Sequence, residues 1–178
     1  MSYKCYIEVT DYPQNKKMDK VYDKRLKYIK PYAKGKGLDI GGINSFTKIM
    51  NRWLGFEVDN TEGDIDYGII APSQDYDFII CSHIIEHVMN PLVVMDGIHK
   101  CLADYGKVII FYPTNIRQLK WNVHFHEIPT YDMKNLIEKA KFKIIKWDKE
   151  RFRGSCFGIR PLIRKLFSVE HIIVLEKL

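Results

Sequence analysis

Residues 76–81, Tyr-Asp-Phe-Ile-Ile-Cys, constrain this chain more than any other stretch. An apolar run of that length, bounded by polar residues, suits a parallel strand covered by helices on both faces. The next thirty residues agree with that reading. Asn90 is a helix cap and Pro91 a first helical residue, which predicts a helix over 91–103 ended by Tyr105-Gly106. Lys107 to Tyr112 then reads as the next strand. Strand, crossover helix and strand in this order imply a doubly wound sheet, which takes its ligands beyond the carboxyl ends of its strands.

The same alternation extends in both directions. Met18, Val21, Tyr22, Leu26 and Ile29 recur at helical spacing among Lys, Arg and Asp, so a basic amphipathic helix is expected, ended by Pro31 and Gly35. Gly37-Leu38-Asp39-Ile40-Gly41-Gly42 reads as a short strand running into glycines, then a helix over 46–54 and a strand over 56–59. Thr130 is expected to cap a helix through Ala140, with strands over 142–147 and 171–175 after it. A further short strand near 63–67 brings the expected sheet to about seven mostly parallel strands, the last antiparallel. With 178 residues, 46% of them hydrophobic, one α/β domain accounts for the chain. We divide it into a basic helical segment or lid (1–34), a ligand-binding core (35–149), an insertion or lid (150–168) and a last strand (169–178).

Several classes are excluded at this stage. No apolar run reaches the roughly 18 residues a membrane span needs, and the first residues lack a signal peptide's apolar stretch, so a cytoplasmic chain is expected. Cys5, Cys81, Cys101 and Cys156 are scattered without a C-x-x-C pair, which points to neither a disulfide framework nor structural zinc. The formal net charge of +6 is spread rather than blocked.

The chemistry-bearing residues gather where strands end. Asp39 closes a strand, and Gly41 and Gly42 form a turn whose missing Cβ atoms let backbone approach a ligand. Asp59 follows Asp39 by 20 residues, the spacing of a carboxylate that holds two ribose hydroxyls. Asp64 and Ile65 offer a carboxylate and an apolar surface suited to an adenine ring. Together these residues describe a nucleoside pocket.

In these residues the chain resembles the class I S-adenosylmethionine-dependent methyltransferases. LDIGG, the Gly63-Asp64 pair, YDFIICSHIIEHV and the stretch NPLVVMDGIHKCLADYGKVIIFYPT carry the likeness, which covers 35–147. It is nearest to the small-molecule branch, and His124-Phe-His126-Glu127 resembles that branch's histidine-containing segment. The resemblance implies S-adenosylmethionine as cofactor. It places Asp39, Gly41 and Gly42 at the methionine part, Asp59 at the ribose, Asp64 and Ile65 at adenine, and Ser82 and His83 at the sulfonium end. Two departures stand out: Ile43 and Ser45 replace two of the family's glycines, and only four residues separate Asp59 from Asp64. An alternative alignment gives the ribose role to Glu57.

Methyl transfer to a hydroxyl is an in-line displacement that needs alignment, exclusion of water and a base. His83, His87, His124 and His126 are the candidates, with His83 and His126 favoured because both are expected on loops at strand carboxyl ends. CSHIIEH is unlike the motif of DNA base-amino methyltransferases, so DNA is not expected as a substrate. The expected acceptor is a small molecule, such as a hydroxyl of a phosphorylated or nucleotide-linked sugar. That expectation rests on the basic and apolar insertion containing Arg151, Arg153, Arg160, Arg164 and Lys165. A homodimer is compatible with the same insertion.

Plainer readings compete at each point. LDIGG alone could be a tight turn, Glu86-His87 could only orient a loop, and the Lys-rich helix could be a solvated face. His99 and His171 are expected to be surface or packed residues, away from any strand's carboxyl end. His124, His126 and Glu127 lack a third ligand at suitable spacing, so no metal is expected. Two other functions remain open: an RNA methyltransferase guided by the basic helix, and a module with this fold that has lost its chemistry. A dehydrogenase is disfavoured because G-x-G-x-x-G is absent.

Overall fold

A computed structural model describes residues 16–114, 125–151 and 169–178, with side chains from Val21 onward. Helix α1 spans Lys16–Ile29, strand β1 Gly37–Asp39, helix α2 Ser45–Leu54 and strand β2 Asp59–Asn60. Strand β3 is Tyr76–Ser82, helix α3 Pro91–Cys101 and strand β4 Leu102–Thr114. Helix α4 is Thr130–Lys139, and strands β5 and β6 are Phe142–Arg151 and Val169–Lys177. The six strands form one sheet in the order β2-β1-β3-β4-β6-β5. β1 to β4 are parallel, and β6 is antiparallel to both β4 and β5.

The alternation of side chains along each strand builds two separate cores. Phe78, Ile80, Ile109, Phe111 and Ile172 face α1 and α2, where Tyr22, Leu26, Ile29, Phe46 and Met50 cover them. Leu38, Ile79, Val108, Ile110 and Ile173 face α3 and α4 instead. Each central strand is therefore buried on both faces, as the run 76–81 predicts.

Several boundaries differ from the sequence expectations. Among the described residues there are six strands rather than about seven, because Ile65–Tyr67 is a 3-10 turn capped by Asp64. The expected strand over 56–59 shrinks to Asp59–Asn60 because the chain leaves α2 through a left-handed Gly55 and only then reaches the sheet. α3 ends at Cys101, not Ala103, since Leu102 is extended and pairs with Tyr76. Thr130 is the first residue of α4 rather than its cap, the preceding Pro129 standing at the cap position without a side-chain hydrogen bond. β5 extends to Arg151, so the insertion begins at 152 rather than 150. The rest of that insertion, with Arg153, Arg160, Arg164 and Lys165, lies outside the described residues. Among those residues no helix is long and apolar enough to cross a membrane.

Candidate active site

The turn after β1 is pinned from two sides. Asn60 Nδ2 donates to the carbonyls of Asp39 (3.3 Å) and Gly41 (3.0 Å), and the Gly41 N–H donates to Thr61 Oγ1 at 2.7 Å. Gly41 has φ +109°, a conformation that glycine adopts at little cost. Asn44 then opens α2 with a capping box, accepting from the N–H groups of Phe46 and Thr47. The two departures from the family's glycines thus have local accounts. Ser45 is the first helical residue, and Ile43 is an exposed turn residue.

Asp39 is sealed below this turn at 2% exposure, and its Oδ2 accepts from Thr47 Oγ1 at 2.6 Å. Burial raises its pKa to about 7, against the smaller opposing effect of its hydrogen bonds. Asp59 stands level with Leu38, and its Oδ2 accepts from the buried Tyr76 hydroxyl at 2.7 Å. Thr61, not Asp59, reaches the glycine turn, and Glu62 follows it in a bridge to Ile70. Glu57, the alternative, is exposed and precedes β2. Asp64 accepts from the Asp66 N–H, and the Ile65 side chain is buried in the α3-facing core. Asp66 in turn accepts from the Met89 N–H at 2.6 Å, tying this turn to the β3 exit.

At that exit His83 has φ +56°, a left-handed backbone that costs a non-glycine residue roughly 1–2 kcal/mol. Its N–H donates to the Phe111 carbonyl at 2.8 Å, which holds the residue there. Its ring lies between charged groups brought from three parts of the chain. Nδ1 is 3.1 Å from Glu86 Oε1, while Nε2 is 2.7 Å from Glu170 Oε1 and 2.6 Å from Arg25 Nη2. Arg25 also donates from Nε to Glu170 at 2.9 Å and approaches Ser82 Oγ at 3.5 Å. Burial and Arg25 push the His83 pKa down, but Glu170 and Glu86 outweigh them and raise it. Burial opposes ionisation of Glu170 too, yet His83 and Arg25 hold its pKa at about 2. Glu86 is lowered by the same competition, with His83 outweighing burial. Both of its oxygens are buried without a hydrogen-bond partner among the described residues, so its contact with His83 is one of charge and distance.

His126 joins this group through its backbone, donating its N–H to the Glu86 carbonyl at 3.2 Å. Its Nε2 is 3.2 Å from the Met89 carbonyl, so Nε2 carries the hydrogen and the lone pair falls on Nδ1. His124 lies outside the described residues. His99 packs against Phe142 in the α3-facing layer. His171 is packed, as expected, but it lies at the carboxyl end of β4 because β6 runs antiparallel and pairs it with Tyr112. It accepts from Trp147 Nε1 at 2.9 Å, donates to Thr114, and is held neutral by burial with its pKa lowered to about 4. No group of three or more His, Cys, Asp or Glu among the described residues is arranged to hold a metal ion.

Sequence reasoning thus misses Arg25 and Glu170. The first has a signal: position 25 lies four residues from both Val21 and Ile29, inside the apolar stripe of α1. The assembled rim suits a sulfonium nucleoside. It offers the exposed Gly42 for close backbone approach and, in Glu86, a buried carboxylate whose oxygens have no hydrogen-bond partner among the described residues.

A methyltransferase-domain family model matches residues 14–146. The comparison with curated proteins gives no match. Among solved structures, a SAM-dependent methyltransferase from Archaeoglobus fulgidus superposes with a TM-score of 0.63 at 16% identity, covering 89% of this chain and 94% of its own. The [4+2]-cyclase SpnF gives 0.61 at 12% identity, covering 87% and 81%. A methyltransferase from Thermotoga maritima, described as a possible histamine N-methyltransferase, gives 0.54 at 16%, covering 88% of each. At such identities the likeness to these structures concerns the fold.

Proposed function

The chain belongs to the S-adenosylmethionine-dependent methyltransferases, and we propose that it transfers the methyl group to a hydroxyl of a small, anionic molecule. The observation that carries this reading is His83 at the carboxyl end of β3, with Nδ1 3.1 Å from Glu86 and Nε2 directed toward Arg25 and Glu170. The cofactor supplies an electrophilic methyl group and a thioether leaving group. The protein's part is alignment and proton removal. Gly41 and Gly42 take the methionine part, Ser82 borders the sulfonium end, and Asp39 supports the turn from below. The Asp64–Ile65 turn takes the adenine. The ribose carboxylate is Asp59 or Glu62; Glu62 directly follows Thr61, which holds the Gly41 N–H, whereas Asp59 shares its charge with Tyr76.

Neutral His83 accepts the hydroxyl proton at Nε2 as the new oxygen–carbon bond forms, the acceptor hydroxyl taking the place of the Arg25 N–H that occupies this lone pair in the free protein. The proton taken up by His83 later passes to water. Because His83 titrates above its ordinary 6.5, the rate rises with pH through a midpoint above that value. His126, with its lone pair on Nδ1, is a second proton acceptor on the same rim. The anionic acceptor is supported by the net charge of +6 and by the basic residues between β5 and β6.

Calorimetric titration with S-adenosylmethionine and S-adenosylhomocysteine, with NAD as control, tests the pocket. Micromolar binding of the sulfur compounds is expected, weakened at least tenfold by Asp59→Ala or by Glu62→Ala, whichever holds the ribose. Transfer of radiolabelled methyl into a metabolite extract then tests His83→Gln, which is expected to lose at least 100-fold in rate. A His83→Gln protein as active as the wild type would sink the base assignment.

A further inference from the structure

Arg25 and Glu170 lie 145 residues apart in sequence and meet at one atom of a third residue. Their side chains are 10% and 12% exposed, and burying such a pair gains little stability over an apolar one. What distinguishes the pair is its aim at His83 Nε2, with a donor at 2.6 Å and a carboxylate at 2.7 Å.

An imidazole nitrogen presents either a lone pair or a hydrogen in the ring plane. A guanidinium can only donate, so with Arg25 Nη2 at 2.6 Å the neutral ring presents its lone pair at Nε2 and carries its hydrogen on Nδ1, 3.1 Å from Glu86 Oε1. Arg25 Nη2 donates to that lone pair. Once Nε2 gains a proton, its N–H finds Glu170 Oε1 with no change of backbone. Both states of the ring therefore have a partner already in place. We propose that Arg25 and Glu170 are positioning residues for His83: Arg25 orients the neutral ring, and Glu170 keeps the proton that the ring receives.

This inference rests on the reading of His83 as the base. The groups facing the ring are Arg25 from α1, Ser82 beside it in β3, Glu86 in the following turn and Glu170 from β6. His87 lies behind Glu86, its Nε2 4.0 Å from Glu86 Oε1. Opposite charges flank Nε2, so removing either one has an opposite effect on proton affinity.

The test is a pH titration of imidazole nitrogens by NMR on 15N-histidine-labelled wild type, Glu170→Gln and Arg25→Gln, without cofactor. Glu170→Gln is expected to lower the His83 midpoint by about one unit, a tenfold loss in proton affinity, and Arg25→Gln to raise it. In wild type the neutral ring is expected to carry its hydrogen on Nδ1. Midpoints that stay put, or that move in the same direction, overturn the proposal, as does a neutral wild-type ring with its hydrogen on Nε2. If Glu170→Gln does not fold, Glu170→Asp must lower the midpoint instead, and the wild-type tautomer remains decisive. The methyl-transfer assay separates the two claims. Opposite shifts with an active His83→Gln enzyme would sink the base assignment alone, whereas unmoved titrations with an inactive one would sink the positioning alone.

Discussion

Asp39 makes the stability of this fold pH-dependent, in a window its own burial defines. In the unfolded chain its carboxyl titrates near the ordinary 3.8, and in the fold near about 7. Between those values the folded protein holds a proton that the unfolded chain releases. Stability therefore falls as pH rises from about 4 to 7 and is flat beyond. A separation of about 3 units corresponds to about 4 kcal/mol of differential stability. Asp39→Asn abolishes this titration and keeps an oxygen able to accept from Thr47 Oγ1. The amide's own hydrogens bring a cost in a pocket that is 2% exposed, but that cost is the same at every pH. The quantity to measure is the change with pH in the difference between the two proteins, from urea unfolding at pH 4.5 and pH 8. The variant should gain about 2–4 kcal/mol on the wild type between those conditions. A difference that stays constant would refute the argument and place an uncounted cation or water beside the carboxyl.

Three further outcomes rest on single contacts. Glu170, whose pKa falls from 4.5 to about 2, contributes stability above pH 4.5 that is lost as the pH drops toward 2. Acid unfolding of Glu170→Gln should therefore lack a component of about 3 kcal/mol, seen as a shallower loss of stability from pH 5 to 2.5. Asn44→Ala removes the cap of α2 and should cost about 1 kcal/mol in a denaturant melt, while Asn44→Ser should restore most of it. Gly37→Ala would set a methyl group against the Phe78 ring inside the sheet and should cost about 1–3 kcal/mol, measured in the same way.

The parts of the fold that the sequence predicts well are those fixed by local signals. The run 76–81 needs helices on both sides, and Asn90-Pro91 can hardly do anything but open a helix; both appear where expected. The family match likewise rests on contiguous residues. Boundaries fail where a distant partner decides them. Leu102 leaves the helix early because Tyr76 offers it a strand edge, and no feature of 98–106 reveals that.

The charged cluster is hidden in the sequence for a related reason. A search of strand carboxyl ends finds His83 but passes over Glu170 and His171, since both lie at the start of a strand. Only the antiparallel direction of β6, fixed by its pairing with β4, carries that start to the same rim. Arg25 escapes notice because a cation on a Lys-rich helix reads as solvated, although its place in the apolar stripe argues otherwise. The 20-residue spacing from Asp39 to Asp59 is a different case. It assumes that two strands of ordinary length end together, whereas β2 has two residues and begins level with Leu38. Counted along the sheet rather than along the chain, Thr61 is the residue that meets the glycine turn, and Glu62 follows it. That leaves the Tyr76–Asp59 hydrogen bond as a structural tie unless cofactor affinity falls with Asp59→Ala and not with Glu62→Ala.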